Sequence, residues 1–130
     1  MAIRLGLGGA ILALGLTAGV ASGAEQWAPD QNVCNQQENT LAIVQCLQER
    51  TSFWDRRLNQ AWKAVNASLA SEPQRVVALK TAEQAWLKFR EANCAFQYSQ
   101  GGTIRQIATA SCMLEMTQNR AIELQKELSP

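Results

Sequence analysis

The stretch AEQAWLKFREANC, Ala82 to Cys94, decides the fold. It shows no alternation of apolar and polar residues. Together with its flanks it places Val76, Leu79, Ala82 or Glu83, Trp86, Phe89 and Phe96 at steps of three, four or seven, the spacing of one face of a helix. The reading is a helix with Trp86 and Phe89 in the core, Arg90 paired inside the molecule and Cys94 acting as a staple near the end.

Working outward, the same period governs the rest of the chain. Val44, Leu47, Thr51, Trp54, Leu58, Ala61, Val65 and Leu69 predict a first helix from about Thr40 to about Ala70. Ser71-Glu72-Pro73-Gln74 breaks it, with Ser71 and Gln74 as a capping box and Pro73 in the first turn of the next helix, where no amide donor is needed. Ser99-Gln100-Gly101-Gly102-Thr103 breaks the second helix, and Thr103 with Gln106 forms another candidate box. A third helix runs to near Leu128, with Ile104, Ile107, Ser111, Leu114, Ala121, Leu124 and Leu128 inward. Short connections favour antiparallel neighbours. The expected fold is therefore all-α, a three-helix antiparallel up-down-up bundle with an irregular N-terminal arm from Glu25 to about Asn39.

The N-terminus reads as a secretory signal. Arg4 precedes an uncharged, leucine-rich run from Leu5 to Ala24, and Ser22-Gly23-Ala24 offers small residues for cleavage after Ala24. Residues 1–24 are then the signal and residues 25–130 one domain, placed in the periplasm or secreted. The run is too short and too glycine-rich to span a membrane comfortably. The chain has 12 basic and 11 acidic residues, and losing Arg4 balances them. A neutral domain argues against nucleic acid and anionic membrane surfaces, which favour a strongly basic face.

All four cysteines, Cys34, Cys46, Cys94 and Cys112, lie in the exported part, where an even count reads as a disulfide framework. The helix layout favours Cys94 with Cys112 across the second hairpin and Cys34 with Cys46 folding the arm onto the first helix. The other two connectivities remain open, although both tie distant elements. Each short closed loop is worth about 3 kcal/mol before strain. With no CxxC pair and no histidine, no metal site or cofactor is expected.

The missing histidine also removes the commonest general base and the usual activated nucleophiles, so the chain reads as a binding protein rather than an enzyme. Asp55, Glu83 and Glu91 are carboxylates of the kind that helices carry as solvated faces or ion pairs. Trp54, Trp62 and Trp86 read as core, and Trp27 as an aromatic of the arm. Asp55, Asn59 and Arg90 could meet between the first two helices as a structural polar network fixing their register.

Leu79-Lys80-x-Ala82-x-Gln84-x-Trp86-Leu87-x-Phe89-Arg90-x-x-x-Cys94, then Gly101-Gly102-Thr103, Cys112 and Arg120-Ala121-x-x-Leu124, resembles the LprI-like lysozyme inhibitors, a family of small secreted bacterial domains. The spacing of Cys34 and Cys46 and the Asp55-x-x-Leu58-Asn59 signature agree, so the resemblance spans Cys34 to Leu124. Ala42 and Ile43 stand where the family often has an acidic residue and a methionine, and Trp62 where it has a tyrosine. The resemblance implies a protein that binds and inhibits lysozyme and so protects peptidoglycan. The alternative is a cell-envelope interaction or assembly module without a lysozyme target. Common lysozymes are basic, so an acidic face would aid binding. Glu115 and Glu123, with Glu127, are the candidates for it, and the Gly101-Gly102 turn is a candidate partner-binding loop.

Overall fold

The structure, a computed structural model, describes residues 31–129. It is all-helical, with no strand among the described residues: α1 is Gln31–Cys34, α2 Thr40–Ser68, α3 Pro73–Tyr98 and α4 Ile104–Lys126. The expected signal segment and Trp27 lie outside the described residues. The arm expected to be irregular contains α1, one helical turn joined to α2 by the Cys34–Cys46 bridge.

Asn39 starts α2. Its backbone is extended and its side-chain oxygen accepts from the Ala42 amide at 3.0 Å, satisfying one donor of the first turn. Leu47, Trp54, Leu58, Ala61 and Val65 then line one buried stripe. The helix ends at Ser68, two residues before the expected Ala70. The backbone turns there, with the Glu72 amide donating to the Leu69 carbonyl at 2.8 Å.

Neither expected capping box forms. Glu72, not Ser71, precedes α3, because Pro73 takes the first helical position that its ring prefers; Glu72 makes no side-chain cap and instead pairs with Arg75 at 3.2 Å. Thr103 does stand at the start of α4, but its own backbone is already helical (φ −71°, ψ −23°). A capping hydroxyl works from an extended residue, and Thr103 offers only its carbonyl, to Gln106.

α4 is the shared element: α2 and α3 each pack along it and touch one another little. Glu83 meets Arg120, Arg90 meets Thr117, and Cys94 is bridged to Cys112, so later residues of α3 face earlier residues of α4. Leu114, Ala121 and Leu124 of α4 complete the core with Leu47, Trp54 and Leu58 of α2.

Because α3 has one long neighbour, it buries one narrow face. Glu83 and Cys94 are buried, and Val76, Leu79, Trp86 and Arg90 partly so. Phe89 lies about 100° around the helix from Arg90 and is 60% exposed; Phe96 is 69% exposed. The expectation that both face inward is therefore corrected. Ile104, at the start of α4, and Leu128, beyond its end, are likewise exposed.

Candidate functional site

Two regions combine polar chemistry with defined geometry: a seam between α3 and α4, and the tip where these helices join. In the seam, Arg120 donates through Nε and Nη2 to Glu83 Oε2, both at 2.9 Å, and through Nη1 to Glu123 Oε2 at 2.8 Å. Burial pulls the Arg120 guanidinium down, and its bonds to Glu123 and Glu83 more than offset this, so its pKa lies above the ordinary value. Arg90 donates to the buried Thr117 hydroxyl at 3.1 Å. The Arg90 and Arg120 guanidinia lie 4.9 and 6.0 Å from the Trp86 ring centre. The charges of this seam are thus engaged with groups of the protein itself.

The expected polar set is distributed differently. Asn59 donates to the Asp55 carbonyl at 2.8 Å and to its carboxylate at 3.2 Å, on the exposed side of α2. Arg90 faces α4 instead, because α4 and not α2 is the helix packed on α3.

The tip is built by the α3–α4 hairpin. The Cys94–Cys112 bridge closes it, and the Met116 thioether packs on both bridge sulfurs at 3.8 and 3.9 Å. Beyond the bridge, α3 ends at Tyr98, followed by the exposed turn Ser99–Thr103. Gly102 has φ +77°, the left-handed region that glycine tolerates, and a side chain at Gly101 or Gly102 would meet open space. Arg105 stacks over the Tyr98 ring at 4.8 Å. Phe96, Tyr98 and Ile104 are all exposed here.

A groove of about 560 Å³ adjoins the tip, lined by Val44, Gln48, Thr51, Tyr98, Gln106 and Met113 among others, with no charged side chain. The Thr51, Ser52 and Thr109 hydroxyls in it donate to carbonyls of their own helices. Glu115 lines a different groove, with Phe89 and Asn93 between α3 and α4. Glu123 and Glu127 lie in a third, beside Arg75 and Arg120. Glu115 thus stands in one hollow and Glu123 with Glu127 in another, and Glu123 is already paired with Arg120.

Tyr98 and Arg105 were not singled out in the sequence, although a signal exists there. From Ala92 to Leu114 the only charged residue is Arg105, and Tyr98 is the only tyrosine of the chain.

The helices and bridges define a small, disulfide-stapled, all-helical domain. The chain belongs to the lysozyme inhibitor LprI family, whose model matches residues 31–124. It is also similar to an uncharacterized protein of Rhizobium meliloti (strain 1021), with 25% identity over 130 residues, covering 90% of this chain and 91% of the relative. No solved structure matches it.

Proposed function

We propose that the protein is exported to the periplasm or beyond, loses residues 1–24, and there binds and inhibits a lysozyme, acting as a binding protein and not as a catalyst. The observation that carries this reading is membership of a lysozyme-inhibitor family over residues 31–124. Two disulfides suit an oxidising compartment. Among the described residues no helix is long and apolar enough to cross a membrane. On this reading the three long helices form an up-down-up bundle that holds the α3–α4 tip, including Gly101 and Gly102, rigidly forward. Glu115 borders one groove and Glu123 another, where Arg120 already pairs with it.

The test is the rate of peptidoglycan lysis by a chicken-type lysozyme as the oxidised protein is added, at two salt concentrations. Dose-dependent inhibition is expected. Its salt dependence should be shallow, because the chain is close to neutral and Glu123 is already paired with Arg120. Unchanged lysis in the presence of folded, bridged protein would remove the reading.

One observation favours a second reading. Ala85, Phe89, Ala92 and Phe96 form an exposed apolar stripe on α3, the kind of face that envelope interaction modules use. Under that reading Phe89 and Phe96 would carry binding to another envelope protein.

A further inference from the structure

Resting on the lysozyme-inhibitor reading, we propose that Arg105, presented on Tyr98 at the hairpin tip, is the group that enters the enzyme's cleft and pairs with its catalytic carboxylates.

Four observations meet at this residue. The first is its isolation. In the 23 positions from Ala92 to Leu114 no other side chain is charged, so Arg105 is the one charge that the hairpin itself carries at its tip. The second is its availability: Arg75 and Arg120 are held by glutamates, Arg90 by Thr117 and Trp86, and Arg57 lies over Phe53 and Trp54. Arg105 is exposed and forms no ion pair among the described residues.

The third is its preorganisation. The guanidinium carbon lies 4.8 Å from the centre of the Tyr98 ring, a contact that favours this placement of the side chain, and the Cys94–Cys112 bridge ties together the helices that carry the two residues. Binding then costs little side-chain ordering. The fourth is the surround: Phe96, Tyr98 and Ile104 are 69%, 47% and 56% exposed, and Gly101 and Gly102 keep the turn slim. An aromatic and arginine cluster with an apolar border is the composition of an interface centre.

The partner chemistry follows from complementarity. A lysozyme cleft holds two carboxylates flanking the scissile bond and stabilises a flat, cationic, oxocarbenium-like transition state. A guanidinium is planar, permanently charged and able to bond carboxylates in a forked geometry. It can therefore occupy the position of that transition state without offering a bond to cleave.

The experiment measures inhibition of a chicken-type lysozyme by the oxidised wild-type protein, by Arg105→Gln and by Arg75→Gln, the last removing one charge from the opposite end. Direct binding is measured with and without chitotriose, which occupies the cleft. The expected result is inhibition by the wild type, competition by chitotriose, an Arg105→Gln variant weaker by about 30-fold or more, and an unchanged Arg75→Gln variant. Circular dichroism melts should coincide for all three, since both arginines are exposed. If the wild type inhibits while Arg105→Gln stays within about 2-fold, or chitotriose fails to compete, the assignment of Arg105 is wrong and the inhibitor reading stands. If the wild type does not inhibit, both fall together.

Discussion

Arg120 of α4 places two of its nitrogens 2.9 Å from the same oxygen of Glu83 on α3, with each side chain only 11% exposed. The other Glu83 oxygen is buried without a partner. Replacing one member leaves the other poorly solvated. Glu83→Gln should therefore cost about 2 kcal/mol, below the values for fully buried pairs that are broken, because Glu123 still holds Arg120. Glu123→Gln, removing a 64% exposed partner, should cost less than about 0.5 kcal/mol. Urea denaturation midpoints of the two variants give the comparison, and a larger loss for Glu123→Gln would show that Glu123 is the main partner.

The bridges close loops with sequence separations of 12 and 18 residues. Replacing either pair by alanine should lower stability by about 3 kcal/mol, but the consequences should differ in place. Without Cys34–Cys46, hydrogen exchange should accelerate in α1 and the first turns of α2. Without Cys94–Cys112, it should accelerate around the α3–α4 tip.

Packing gives a sharper contrast. Leu114 is fully buried, and Leu114→Ala should cost about 2–5 kcal/mol. Phe89→Ala, at a position 60% exposed, should stay within about 0.5 kcal/mol. Thermal melts decide this, and a large loss at Phe89 would mean that the outer side of α3 is covered.

At the turn, Gly102→Ala forces a side chain into φ +77° and should cost about 1 kcal/mol. Gly101→Ala meets open space without that backbone demand and should be close to neutral. Chemical denaturation of the two variants measures the difference.

Helix period and breaks were legible because Leu47, Trp54, Leu58, Ala61 and Val65 repeat at steps of three, four or seven and Pro73 and Gly102 interrupt the pattern. The orientation of α3 was not. Its sequence offers two apolar flanks, one through Leu79 and Trp86 and one through Phe89 and Phe96, and local period cannot say which meets a neighbour. The choice is made by Arg120 and Thr117 of α4, which draw Glu83 and Arg90 inward. Such residues look like surface residues until their partners are known. The tip chemistry was missed for a related reason: the pairing of Arg105 with Tyr98 crosses a turn, outside any helical repeat.

Cys34 is bonded to Cys46 and Cys94 to Cys112, so each partner is the nearest cysteine along the chain. A polypeptide threading through a translocation pore N-terminus first would deliver Cys46 while Cys34 is its sole possible mate. Cys94 would arrive after that pair has closed and wait only for Cys112. If the chain is exported as proposed, oxidation in order of appearance would yield the native pairing directly, with no sulfurs to reshuffle.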